Sequence, residues 1–93
     1  MTYIRKVDKN QKEIVRTLRA LGYSVRHTHI IGKGFPDIVI GKFGMNLLVE
    51  IKQEGESLTE DEIKFFDEWR GNAMVGRSAE EIHEEFMRQY GGV

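Results

Sequence analysis

The stretch from Gly32 to Lys52 constrains this chain most. It reads Gly-Lys-Gly-Phe-Pro-Asp, an apolar Ile-Val-Ile run, a Gly-Lys-Phe-Gly turn, and then Met-Asn-Leu-Leu-Val-Glu-Ile-Lys. Two β-branched runs joined by a glycine-bearing turn predict an antiparallel hairpin turning at Gly41 to Gly44. Strands of this kind normally exclude charge, yet Asp37 opens the first and Glu50 and Lys52 close the second. Buried charges are costly unless they are paired or bind a counter-ion. Side chains alternate along a strand, so Glu50 and Lys52 share one face while Ile51 points into the core. The hairpin folds Asp37 back toward Glu50, and two carboxylates and an ammonium converge.

This grouping suits one chemistry. Neighbouring carboxylates repel unless a cation sits between them, and a hard divalent ion such as Mg²⁺ takes one or two carboxylates together with waters and phosphate oxygens. A lysine beside it can steer or deprotonate an attacking water, or offset charge developing at phosphorus. The expectation is a phosphodiester hydrolase. A solvated ion pair at a strand end would explain an isolated Glu-x-Lys, but not the addition of Pro-Asp at hairpin distance.

Pro36-Asp37, a spacer and Glu50-Ile51-Lys52 resemble the signature of the PD-(D/E)xK nuclease superfamily. More narrowly they resemble the small VRR-NUC domains and, beyond them, archaeal Holliday-junction resolvases. The similarity extends from the first helix to the Leu58-Thr59 helix and the Val75-Gly76-Arg77-Ser78 segment. It implies a restriction-endonuclease-like α/β core, a small mixed sheet flanked by helices. It implies an endonuclease dependent on Mg²⁺ or Mn²⁺, with Asp37, Glu50 and the Ile51 backbone carbonyl as metal ligands and Lys52 as the catalytic lysine. Branched or structured DNA, of Holliday-junction or flap type, is the implied substrate, and a homodimer the implied assembly. Two departures stand out. Gly76 replaces an arginine in the family's Val-Arg-Arg, and Glu62 stands where relatives often carry glutamine, which leaves it a capping role. The rival readings are a catalytically silent nucleic-acid-binding module and a nuclease subunit needing a partner; the complete Asp-Glu-Lys set favours the enzyme.

The first helix supplies a further candidate. Asp8 or Asn10 can cap a helix running to about Leu21, where Gly22 stops it. Val7, Ile14, Val15, Leu18 and Leu21 form its apolar stripe. At about 100° per residue Gln11 falls inside that stripe and Glu13 on its flank. PD-(D/E)xK enzymes often bring a Glu or Gln from this helix to the metal site, and the acidic-x-x-Gln pattern of VRR-NUC domains resembles Asp8 to Gln11. Gln11 is therefore expected to support the site, with Glu13 as second choice.

The 93 residues form one domain, able to bury roughly 60–65% of its unfolded surface. With no cysteine, disulfides and thiolate metal sites are excluded. No apolar run reaches the ~20 residues of a membrane span and no signal region opens the chain, so a soluble, cytoplasmic protein is expected. The net charge of −1 conceals a division: residues 1–42 carry +6 and residues 43–93 carry −7. This predicts a basic DNA-facing side drawn from Arg5, Lys6, Lys9, Lys12, Arg16, Arg19, Arg26, Lys33 and Lys42. Lys9, Lys12, Arg26, Lys33, Lys42 and Arg77 are the candidate nucleic-acid contacts.

The remaining elements follow from periodicity and turn chemistry. Tyr23 to His29 alternates as a strand paired with the Asp37 strand, with His27 and His29 on one face but no third metal ligand nearby. Ile30 to Phe35 is a glycine-bearing loop that can position DNA beside Asp37. Thr59 opens a second helix with a capping box to Glu62, packed inward by Ile63, Phe65, Phe66 and Trp69 and ended by Gly71. Asn72 to Gly76 is a short strand. Ser78 opens a last helix with a second capping box, its buried face made by Ala79, Ile82, Phe86 and Tyr90.

Overall fold

The computed structural model describes residues 9–91. The expected contributions of Arg5, Lys6, Val7 and Asp8 lie outside these residues. Helix α1, Lys9–Ala20, buries Gln11, Ile14, Val15 and Leu18, the i, i+3, i+4, i+7 spacing of one helical face. Asn10 falls inside the helix rather than before it. Gly22 adopts φ +96°, and the Tyr23 amide donates back to the Leu18 carbonyl at 3.1 Å, closing the helix end. Leu21 lies beyond the last helical residue, so it leaves the apolar stripe and is 39% exposed, contrary to its expected burial.

Four strands form one mixed sheet in the order β1-β2-β3-β4: β1 Ser24–His27, β2 Ile38–Lys42, β3 Met45–Ile51 and β4 Ala73–Gly76. The first three are antiparallel neighbours, and β4 runs parallel to β3. Lys42 pairs with Met45 across a two-residue turn in which Phe43 and Gly44 both have positive φ, 58° and 76°. That is the twist-compatible hairpin turn, one step tighter than the four-residue span suggested. β1 ends at His27 because His29–Ile31 winds into a 3₁₀ turn. His27 and His29 therefore do not share a strand face, although their rings meet edge to face at 6.0 Å.

The two sheet faces are covered unequally. Val25, Ile38, Ile40, Leu47, Val49 and Ile51 face α1 and helix α3, Ala79–Phe86, and join Ile14, Leu18, Tyr23, Ile82 and Phe86 in the core. Gly76 sits where α3 crosses β4: a Cβ there would lie 2.4 Å from Ile82 Cγ1, so no arginine fits at this position. Ser78 caps α3 by accepting from the Glu81 amide, but the Glu81 carboxylate receives the Arg77 amide instead of closing a full box. Tyr90 falls in the turn after α3 and packs partly buried against the core.

The opposite face carries Val39, Leu48, Glu50 and Lys52 and meets helix α2, Glu60–Glu68. Thr59 and Glu62 form the complete capping box expected of them. The inward packing follows in part: Phe65 and Phe66 are half-buried, but no α2 residue is fully buried, Ile63 and Trp69 are 55% and 42% exposed, and the helix ends at Glu68 rather than at Gly71. Only part of the α2 surface meets the sheet. Phe35 joins Phe65 and Trp69 in an aromatic cluster with centroids 4.9 to 5.9 Å apart. No helix among the described residues is long and apolar enough to cross a membrane.

The loop between β1 and β2 is braced at both ends. Thr28 donates its amide to the Asp37 carbonyl at 2.8 Å and its hydroxyl to the Pro36 carbonyl at 2.7 Å. Gly34, at φ +81°, lies against the first turn of α2, where an added Cβ would be 2.3 Å from the Asp61 carbonyl oxygen. Backbone cannot give way as a flexible side chain can. Gly34→Ala should therefore destabilise the protein by about 1–3 kcal/mol through strain and overpacking. Thermal unfolding measures this, and an unchanged melting temperature would show that the loop does not seat on α2.

Candidate functional site

The hairpin register assembles the site. Ile38 pairs with Val49, so Asp37 is placed beside Glu50 at the end of the sheet where β2 begins and β3 finishes. Asp37 Oδ2 accepts the Ile51 amide at 2.8 Å, which fixes the carboxylate over the end of β3. In a strand, a residue's N–H and C=O leave on the same side, so the Ile51 carbonyl also points toward the Asp37 strand. Glu50 and Lys52 are only 3% and 7% exposed, and Lys52 Nζ lies 3.8 Å from Glu50 Oε2. The structure thus brings together Asp37, Glu50, Lys52 and the Ile51 backbone, as the sequence suggested.

It also adds Glu62. Lys52 Nζ is 2.8 Å from Glu62 Oε1, closer than it is to Glu50. The same oxygen accepts the Thr59 amide at 2.8 Å. Sequence reasoning left Glu62 to the cap, since its distance from Lys52 in the fold depends on how α2 docks. The available signal was a carboxylate following an acidic loop behind a buried lysine.

Electrostatics explain why these charges persist. Burial, then the Asp37 charge and a hydrogen bond shared with it, and then Glu62, push the Glu50 carboxyl up to about 9. Burial works against the Lys52 ammonium, but the hydrogen bond and charge of Glu62, with Glu50 and Glu56 behind, outweigh it and raise its pKa. Burial likewise opposes ionisation of Glu62, but bonds from Lys52 and the Thr59 amide prevail and hold its pKa below the ordinary value. The site therefore combines a firmly charged Lys52–Glu62 pair with a carboxyl that keeps its proton near neutrality.

Gln11 is buried at 6% exposure, and its side-chain nitrogen lies 3.3 Å from His27 Nδ1. Burial, followed by the charges of His29 and Arg19, lowers the His27 pKa, and Asp37 opposes this. His27 thus feels the Asp37 charge weakly, and Gln11 contacts the His27 ring. Glu13 is exposed and lines an open cleft of about 450 Å³ with Lys9, Asn10, Gln53, Glu54 and Arg77. No group of three or more His, Cys, Asp or Glu side chains arranged to hold a metal occurs among the described residues. A cation at Asp37 and Glu50 would complete its shell with a carbonyl and water, which is how Mg²⁺ is ordinarily held.

The basic candidates divide into two groups. Lys9, Lys12, Arg16, Arg26 and Lys33 are exposed. Lys42 donates to the Leu21 carbonyl at 2.7 Å and lies 4.8 Å over the Tyr23 ring, Arg19 donates to the Val25 carbonyl at 3.0 Å, and Arg77 donates to the Glu56 carbonyl at 3.2 Å. These three brace the fold as well as carrying charge. Comparison with models of known protein families and with curated proteins finds no match to this chain.

The Glu50 shift has a signed consequence. A carboxyl whose folded pKa is raised stabilises the fold at low pH, and that contribution is lost as pH rises from about 4.5 toward about 9. Glu62 acts in the other direction and in a lower window, since its depressed pKa is linked to stability lost on acidification. In EDTA, the melting temperature should therefore fall between pH 5 and pH 9 by more in the parent than in Glu50→Gln. The scale is about 4–8 °C per kcal/mol for a domain of this size. Parallel pH profiles for the two proteins would show that Glu50 ionises normally.

Proposed function

We propose that this chain is a metal-dependent nuclease of the PD-(D/E)xK type, built on a restriction-endonuclease-like core and hydrolysing phosphodiester bonds in branched or structured DNA. The observation that carries the reading is the buried Glu50 carboxyl, pushed up to about 9 beside Asp37, at the end of a strand that also delivers Lys52. A buried Glu50 beside a half-buried Asp37, with the nearest ammonium held closer to Glu62 than to either, is a poor way to stabilise a fold. It is a good way to bind a cation. Asp37, Glu50 and the Ile51 carbonyl would hold Mg²⁺ or Mn²⁺. When bound, such an ion supplies Lewis-acid polarisation of a phosphate oxygen and a more acidic water.

The protein's own groups do the rest. The raised pKa of Lys52 keeps it an ammonium, which supports donation to a phosphate oxygen as charge builds there, ahead of proton abstraction. Asp37 stays fixed by the Ile51 amide, so its free lone pairs keep one direction. Gln11 and His27 support the Asp37 side of the cluster. Exposed Lys9, Lys12, Arg26 and Lys33 would meet the DNA backbone.

A nicking assay on plasmid and four-way junction, with and without Mg²⁺, tests this. Asp37→Asn should keep the fold, because its side-chain oxygen can still accept the Ile51 amide, yet lose metal affinity and turnover. Lys52→Ala should bind DNA normally and cleave on the order of 10²-fold more slowly, and Lys52→Arg should not recover the parent rate. Parent-level cleavage in these variants would remove the catalytic assignment, and a parent that binds DNA without cutting it would indicate a silent binding module.

We further propose that the working form is a homodimer, since one chain offers one such site and paired cuts across a junction need two. Light scattering at assay concentration should give twice the 10.8 kDa chain mass. A monomer that makes both cuts in one binding event would overturn this.

A further inference from the structure

Lys52 lies between two carboxylates at unequal distances, and the nearer one belongs to a different element. Glu62 Oε1 is 2.8 Å from Lys52 Nζ, whereas Glu50 Oε2 is 3.8 Å away. All three side chains are largely shielded, at 8% exposure for Lys52, 14% for Glu62 and 4% for Glu50. Glu62 cannot follow the lysine elsewhere, because the same Oε1 is bound to the Thr59 amide and the Glu62 amide is bound to the Thr59 hydroxyl. The helix cap therefore holds the carboxylate that holds the lysine. A lysine side chain with four rotatable bonds would otherwise close on Glu50, the nearest carboxylate of its own strand, and occupy the lone pairs that a cation needs.

We propose that Glu62 is the positioning residue for Lys52: through the α2 capping box it draws the ammonium off Glu50, so that the lysine faces the scissile phosphate while Glu50 stays open to a cation. This rests on the nuclease reading above. It assigns Glu62 a role that a cap alone does not require, since a cap is equally well made by glutamine.

Glu62→Gln separates the two roles. The glutamine oxygen still accepts the Thr59 amide, so the capping box should be retained, while the charge that anchors Lys52 is lost and the melting temperature should fall as the buried ammonium loses its nearest carboxylate. Cleavage by Glu62→Gln should show kcat reduced about 10-fold, as for loss of one oriented electrostatic contact, with KM for DNA changed less than about 2-fold. In a Lys52→Ala background the same substitution should have no further effect on kcat, because a residue that acts through the lysine has nothing left to position. A second readout needs no catalysis: the Lys52 side-chain ammonium should give a protected ¹⁵N NMR signal in the parent that is lost or exchanges rapidly in Glu62→Gln. Equal kcat losses in both backgrounds, or an unchanged Lys52 signal in Glu62→Gln, would overturn the proposal. A parent that shows the protected signal, loses it in Glu62→Gln and cleaves no DNA would sustain the positioning contact and overturn the nuclease reading instead.

Discussion

The register of the β2–β3 hairpin is the constraint on which the rest of the structure depends. Lys42 pairs with Met45, and from that tight turn the ladder runs without interruption to Ile38 opposite Val49. A slip of β3 by one residue would send Leu47 and Val49 to the wrong face and move Glu50 and Lys52 into the core. The apolar face therefore sets the register, and the register sets the distance between Asp37 and Glu50. Core packing and site geometry are two consequences of one pairing.

The site is stable enough to exist because its charges are not all charged together. Glu50 holds a proton under the combined pressure of burial and Asp37, while Lys52 and Glu62 neutralise each other at 2.8 Å. Removing a single partner would leave a buried charge unpaired, which costs far more than the pair itself contributes. This arrangement also makes α2 part of the site. The helix buries no residue completely, so its placement rests on the Lys52–Glu62 pair, the Phe35–Phe65–Trp69 cluster and the Gly34 contact with its first turn. A helix held by so few contacts can be displaced more readily than α1 or α3, which share the main core.

The division of charge along the chain is partly absorbed by the fold. Lys42, Arg19 and Arg77 donate to backbone carbonyls, and Lys42 also lies over an aromatic ring. Their charged ends satisfy the carbonyls of Leu21, Val25 and Glu56. What remains exposed is carried by α1, β1 and the glycine loop, the elements around the strand that begins at Asp37.

Much of this could be read from the residues alone. The order of helices and strands, the hairpin, the Thr59 capping box, the Gly22 stop and the burial of Gln11 all follow from local periodicity and turn chemistry, which act over a few neighbouring residues. The same is true of the convergence of Asp37, Glu50 and Lys52, because a hairpin links them through its own short turn. Tertiary structure decided what depends on packing between distant segments. Leu21 and Ile63 have the right spacing for burial but no partner surface, and the second histidine leaves its strand because the loop back to Asp37 must curl. Glycine is required at position 76 by a side chain of α3, six residues further on. Glu62 reaches Lys52 only because α2 docks on that face of the sheet, a contact between elements that no local pattern encodes.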